Sequence, residues 1–378
     1  MKIAFIGQKG IPAKSGGVEK HVEEVATRLA KKGNSVFVYV RNNYTPHDLF
    51  EYRGIKLIHL PSIPTKHLDA ISHTFFATIH SLFQNYDVLH YQAIGPSSLS
   101  IIPKIFKRKT AVIATYHCQD YFHQKWNWFA RACLRAGEMI TVFVPDKTIV
   151  VSEILGGYIF DKFKKRAVVI PNGMNVFPTE ENQYLAKWNL QKGSYILSVG
   201  RLIKHKGIHY LISAFKNLED MHLTREKKLV IVGDGFHTDE YVKELKDLAR
   251  GRENIIFTGT QTGEALNQLF SNAYCFVQPS ESEGLSIALL EAMGYGKAIL
   301  FSDIKENMQA LNDENSVSFR SGDAHDLEEK LVYLINNPAL VKKMGEKAMN
   351  HAWSKFSWDK IASQIEIVYQ DILNIKRS

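Results

Sequence analysis

Residues 195–215 read YILSVGRLIKHKGIHYLISAF. An apolar run, Tyr195–Val199, leads into a loop that carries Gly200, Arg201, Lys206 and Gly207. Beyond the loop, Leu211, Ile212 and Phe215 recur at helical spacing. The pattern is a strand, a loop and an amphipathic helix. The chain opens on the same pattern. Lys2–Gly7 is apolar, Gly16-Gly17 lies in the next loop, and Val18, Val22, Val25, Ala26 and Leu29 form a helical stripe that Gly33 ends.

Working outward, the first set of apolar strands continues at Ser35–Val40, Ile55–His59, Val88–Tyr91, Ala111–Tyr116, Thr148–Val151 and Val168–Ile170. The second set continues at Leu229–Val232, Ile255–Thr258, Cys275–Gln278 and Ala298–Phe301. Strands that are apolar throughout and separated by helices pair in parallel, with both faces covered. The expected fold class is α/β, with two doubly wound parallel-sheet domains and a cleft between them. The expected domains are 1–175 and 190–355, divided by Pro171-Asn172-Gly173 and a polar stretch through Lys192. A last helix within 356–378 carries the stripe Trp358, Ile361, Ile365, Val368 and Ile372. Crossing back to the first domain would bury that stripe.

With 378 residues, 45% of them hydrophobic, the chain is long enough for two globular cores. Its three cysteines make no disulfide framework and match no zinc spacing, and they read as small buried hydrophobes. The N-terminus does not read as a signal peptide, and no apolar run is long enough to cross a membrane. These features predict a cytoplasmic protein. Residues 1–175 hold 23 Lys and Arg against 12 Asp and Glu, and the remainder holds 24 against 27. A basic first half suits an anionic acceptor or peripheral contact with an anionic membrane at its inner face. No basic-aromatic RNA-binding signature accompanies it, so nucleic acid is not an expected partner.

The segment Ser280-Glu281-Ser282-Glu283-Gly284-Leu285, running on to Glu291-Ala292-Met293, carries the strongest chemical signal. It follows a strand and opens a helix. Glu283 and Glu291 are eight residues apart, which at helical rise places them about 12 Å apart along the axis. A helix N-terminus between them would be an anion site. A nucleotide sugar has this layout, with sugar hydroxyls at one end, a diphosphate between, and ribose hydroxyls at the other. Glu283 would face the sugar and Glu291 the ribose, since a carboxylate accepts hydroxyl protons well. Arg201 and Lys206 follow a strand end, where ligands bind in such sheets. There they would neutralise a departing diphosphate, a task often given to a divalent metal. The chain has no Asp-x-Asp, so no metal is expected.

Gly16 and Gly17 let backbone approach a phosphate or an acceptor, or simply make a tight turn. The second strand ends in Tyr39-Val40-Arg41, with no acid to hold a dinucleotide ribose. His117 follows the strand Ala111–Tyr116, and Asp120 comes three residues later. His117 would hydrogen-bond the transferred sugar or serve as a structural histidine. Asp120 would act on the acceptor hydroxyl or hold its loop. Residues 121–135 mix Trp126, Trp128 and Phe129 with Lys125, Arg131 and Arg135, as an amphipathic helix or a membrane-touching segment.

Together, Gly16-Gly17, Gly200-Arg201, Lys206-Gly207, Gly233-Asp234-Gly235 and the pair Glu283 and Glu291 resemble glycosyltransferase family 4, of GT-B architecture with two Rossmann-like domains. The opening Ile6-Gly7-Gln8-Lys9-Gly10-Ile11-Pro12, and His117-Cys118-Gln119-Asp120, are similar to a bacterial rhamnosyltransferase-like subgroup that builds surface polysaccharides. The resemblance implies a retaining, metal-independent transfer from a nucleotide-diphospho-sugar, with a UDP-sugar favoured, to a sugar or lipid-linked saccharide acceptor. It places Arg201 and Lys206 on the diphosphate with the backbone N–H groups of Gly284 and Leu285. Glu291 then takes the ribose, and Glu283 and His117 take the donor sugar. The implied mechanism is front-face substitution. Departures are Asn175 where Asp is common, Asp303–Asn307 in place of Gly-Gly-Pro-Glu, and Ser316 in place of Gly. A sugar phosphorylase, a nucleotide-sugar epimerase and a non-catalytic sugar- or membrane-binding protein are the alternative readings.

Overall fold

The structure is a computed structural model that describes residues 1–14, 16–65, 68–119, 128–235 and 238–377. The chain divides into two compact units. One takes Met1–Asn172 together with the last helix, and the other takes Gly173–Ser357.

The first unit is built on eight strands: β1 (Lys2–Ile6), β2 (Ser35–Arg41), β3 (Glu51–Tyr52), β4 (Ile55–Leu60), β5 (Val88–Gln92), β6 (Ala111–Tyr116), β7 (Lys147–Val150) and β8 (Val168–Val169). Their order is β3-β4-β2-β1-β5-β6-β7-β8. All pairings are parallel except β3 with β4. The central strand shows why the sequence reads as it does, because Ile3, Ala4, Phe5 and Ile6 are all fully buried. Helices α1 (Gly17–Lys31), α2 (Asp69–Leu82), α3 (Ile94–Ser97), α4 (Ile101–Phe106), α5 (Trp128–Phe143) and α6 (Glu153–Phe163) make the connections. Val22, Val25, Ala26 and Leu29 of α1 are fully buried.

The second unit holds six parallel strands in the order β11-β10-β9-β12-β13-β14. In chain order they alternate with helices: β9 (Tyr195–Val199), α7 (Ile208–Asp220), β10 (Lys228–Val232), α8 (Asp239–Leu248), β11 (Ile255–Gly259), α9 (Gly263–Asn272), β12 (Cys275–Gln278), α10 (Ile287–Gly294), β13 (Ala298–Ser302), α11 (Lys305–Met308), β14 (Ser316–Phe319), α12 (Ala324–Asn336) and α13 (Pro338–Lys355). Leu211, Ile212 and Phe215 of α7 pack into this core with Ile196, Leu229 and Val277.

The last helix, α14 (Trp358–Arg377), lies against α1 and β6 of the first unit. Trp358, Ile361, Ile365, Val368 and Ile372 are all buried. Each such side chain contributes about 1.5–3 kcal/mol. The rim is polar, with Arg28 Nε donating to Asp359 at 2.8 Å and Lys32 Nζ to Glu366 at 3.0 Å.

Two strands were not expected. β14 alternates serine with Val317 and Phe319, and β3 is two residues long, so neither carries an apolar run. The cysteine reading needs correction. Cys275 is buried, but Cys118 is half-buried and Cys133 is exposed. The residue lies on the outer side of α5, where helical position rather than polarity decides burial. Among the described residues, no helix is long and apolar enough to cross a membrane.

Candidate functional site

In the second unit, close approaches at glycines join the loop after β9 to the loops after β10 and β12. Gly233 has φ +137°, and a Cβ there would fall 1.9 Å from the Gly200 carbonyl oxygen. Gly207 has φ +68°, and a Cβ there would fall 1.9 Å from the Pro279 carbonyl oxygen. Only glycine permits either approach. The Glu281 amide then donates to the His205 carbonyl at 2.8 Å.

This approach brings Lys206 to Glu283. Lys206 Nζ lies 2.5 Å from Glu283 Oε1. Gln278 Nε2 donates to the same oxygen at 2.5 Å, and Ser280 Oγ does so at 2.6 Å. Three donors thus converge on Oε1, and Oε2 receives none among the described residues. Burial by itself would raise the Glu283 pKa, but the Lys206 charge and the bonds from Lys206 and Ser280 outweigh it and hold the carboxyl below its ordinary value. Glu283 is therefore ionised at neutral pH with one oxygen still able to accept.

Arg201 is exposed and makes no ion pair among the described residues. Its loop is pinned by Leu202 N–H donating to the Asp234 carbonyl at 3.0 Å. Ser286 caps α10 by accepting from Leu289 N–H at 3.4 Å. Leu285 is buried just before this cap, Gly284 is half-buried, and Glu291 is half-buried on the helix. One expectation is overturned here. Glu283 lies in the loop ahead of α10, not on it, so helical rise does not set its distance from Glu291. The reason is local: Ser286 is a better N-cap than Glu283, and Gly284 resists helix.

In the first unit, His117 follows β6 directly and is buried. Its Nε2 lies 2.8 Å from Gln92 Oε1, at the end of β5. His21 of α1 meets the His117 ring edge-on at 5.0 Å. His21 Nδ1 bonds Asn172 Oδ1 at 3.0 Å, and the His21 ring also packs edge-on against Trp358. Burial pushes the His21 pKa down to about 4, against the opposing effect of Asn172. Asp120 lies outside the described residues.

Gly16 has φ +100° and serves as the N-cap of α1, with Gly17 as the first helical residue. The loop before them is held by two buried carboxylates of α1. Glu19 Oε1 accepts from Lys9 N–H at 3.1 Å, and Glu23 Oε2 accepts from Ala13 N–H at 2.6 Å. Sequence reading missed Glu19, Glu23, His21, Gln92, Gln278 and Ser280. Only Ser280 carried a signal, its place three residues before Glu283.

The model for "Glycosyl transferases group 1" matches residues 180–351. The model for "Glycosyltransferase Family 4" matches residues 15–176. Alpha-monoglucosyldiacylglycerol synthase of Streptococcus pneumoniae is 25% identical over 99% of this chain and 86% of its own. Among solved structures, sucrose-phosphate synthase from Thermosynechococcus elongatus superposes with a TM-score of 0.83 at 20% identity, covering 99% of both chains. Anabaena HepE in complex with UDP-glucose superposes with a TM-score of 0.80 at 18% identity, covering 98% of this chain and 100% of its own. With both halves matched and the two parallel-sheet units in place, the chain belongs to glycosyltransferase family 4 and has the GT-B fold.

Proposed function

We propose that this glycosyltransferase moves a sugar from a nucleotide-diphospho-sugar, with retention of configuration and without a metal. The observation that carries the reading is the Lys206–Glu283 corner, where one carboxylate oxygen is saturated and the other has no donor among the described residues. An ionised carboxylate held rigidly with one accepting oxygen suits a sugar hydroxyl. Arg201 and the remaining N–H donors of Lys206 would take the diphosphate, with the Gly284 and Leu285 amides at the start of α10. Glu291 would accept from the ribose, and His117 would contact the donor sugar. Gly16 and Gly17 would let the first loop approach the donor.

The transfer needs no separate base. As the bond from the anomeric carbon to the phosphate oxygen breaks, the departing oxygen takes the acceptor's proton, and the acceptor oxygen bonds the same face. Arg201 and Lys206 would stabilise the charge that develops on the leaving group. UDP is the favoured nucleotide, since HepE is similar and was solved with UDP-glucose. A sugar or lipid-linked saccharide is the acceptor class, in keeping with the name of the S. pneumoniae relative. Asp120 is the acceptor-side candidate.

A thermal-shift panel with UDP, GDP, ADP, CMP and dTDP, each with and without EDTA, tests the donor reading. Ligand at a hundredfold excess over Kd stabilises by about 2.7 kcal/mol. We expect UDP to raise the melting point equally with and without chelator. No shift with any nucleotide overturns the reading.

A further inference from the structure

In the first unit, the loops after β1 and β6 both close on Gln92. This residue ends β5 and is fully buried. Its Oε1 lies 2.8 Å from His117 Nε2, in the loop after β6. A Cβ at Gly7 would fall 2.7 Å from the Gln92 carbonyl oxygen, so the loop after β1 comes as near as glycine permits. The next residue, Ala93, has φ +69° and ψ 163°, a region used almost only by glycine. The sheet holds it there, because Ala93 N–H donates to the Thr115 carbonyl at 2.9 Å. Backbone strain of this kind gathers where a protein binds or reacts.

The two ends of the Gln92 amide differ. Its oxygen can only accept, so His117 Nε2 carries the proton in this pair, and Nδ1 is the accepting nitrogen of the neutral ring. His21, edge-on to the His117 ring at 5.0 Å, packs against it in that orientation. The amide nitrogen is not satisfied. Gln92 Nε2 is buried and has no hydrogen-bond partner among the described residues. A buried donor left alone is costly, and a methionine would fill the same space without that cost. Strand ends in such sheets face the ligand crevice. A strained backbone and an orphaned donor thus stand side by side where a ligand binds. The amide carries no formal charge, so it suits a sugar hydroxyl rather than a phosphate.

We propose that Gln92 binds the donor sugar and positions His117. Its Oε1 holds His117 as the Nε2–H tautomer, and its Nε2 donates to a hydroxyl oxygen of the sugar. The inference rests on the reading that His117 contacts that sugar. It has a separable consequence. Arg201, Lys206 and Glu291, assigned to the nucleotide, all lie in the second unit, whereas Gln92 lies in the first. A change at Gln92 should therefore weaken a nucleotide sugar and spare the bare nucleotide.

Two measurements on the full chain test this. Nitrogen-15 NMR of histidine-labelled protein in mildly alkaline buffer reads the tautomer without any nucleotide, the His117 signal being identified by its loss in His117→Gln. We expect the proton on Nε2. A proton on Nδ1 instead would turn the Gln92 amide round and overturn the proposal. Calorimetry then compares UDP with UDP-glucose. Gln92→Met should bind UDP as the parent does and UDP-glucose about fivefold to tenfold more weakly. Gln92→Asn, one methylene shorter, should act in the same direction and serves where the methionine variant does not fold. A loss confined to UDP-glucose, in a variant with the parent's circular dichroism, supports the proposal. Unchanged affinity for UDP-glucose, or equal losses for both ligands, overturns it and leaves the donor reading standing. A parent that binds neither UDP nor UDP-glucose overturns the donor reading, and this inference with it.

Discussion

Glu283 reaches Lys206 across 77 residues of sequence, and the contact depends on Gly207 having no side chain where it meets Pro279. Because three donors share Oε1, removing the carboxylate strands Lys206 and Gln278 together. We expect Lys206→Ala and Glu283→Ala to show a coupling of about 1–3 kcal/mol in a double-mutant cycle of unfolding free energies. Additive losses would mean that the pair is loose in solution. Glu283→Gln should fold and still lose about a hundredfold in kcat.

That carboxylate also has a pH signature. Its folded pKa lies below the ordinary carboxylate value, so its contribution to stability is complete above the unfolded pKa. The contribution disappears as pH falls through the folded value. The melting-point difference between the parent and Glu283→Gln should be full at neutral pH and shrink in acid, below about pH 4.5. A difference that grows in acid would contradict the assignment.

The glycines allow a sharper comparison. Gly193 and Gly233 both have positive φ, but a Cβ at Gly193 meets nothing within 4 Å. At Gly233 it meets backbone. Gly193→Ala should cost about 1 kcal/mol, for conformation alone. Gly233→Ala should cost about 3 kcal/mol or more and displace the loop bearing Arg201. Chemical denaturation measures both. Equal costs would show that the close approach relaxes.

Glu291 bears on the nucleotide. If it accepts from a ribose hydroxyl, Glu291→Ala should lose about 1.5–3 kcal/mol of UDP affinity by calorimetry. Unchanged affinity would remove it from the site. EDTA should leave turnover intact, and its abolition would refute metal independence.

These expectations separate what the sequence made legible from what it did not. Strands buried along nearly their whole length, such as β1 and β6, were readable because apolar residues dominate them. β14 was not readable, because its serines alternate with apolar residues at the sheet edge. Glu283, Lys206, Arg201 and His117 were legible as chemical candidates in the segments that follow strands. Their partners were not. Gln278 reads as the polar end of a strand, His21 as one more helical residue, and Glu19 and Glu23 as acids suited to a helix start. A hydrogen bond between residues 25 or 151 positions apart leaves no local period to detect.

His21 offers the last test, and it concerns the histidine cluster more than the donor corner. It is fully buried, bonded through Nδ1 to Asn172, and wedged between His117 and Trp358. Burial lowers its pKa from 6.5 to about 4. The unfolded chain therefore binds a proton that the folded chain refuses between those values. The stability that follows is complete above about pH 6.5 and is lost as pH falls toward 4, by about 3 kcal/mol in all. His73, also held near 4, and His90, held well below its ordinary value, add slopes of the same sign, so the parent alone does not isolate His21. His21→Gln does, because it removes one titration and leaves the others. Its unfolding free energy should fall less steeply than the parent's between pH 6.5 and 4. Parallel slopes would mean that His21 is hydrated or charged in the folded protein, and that the packing of His117 against a neutral ring is wrong.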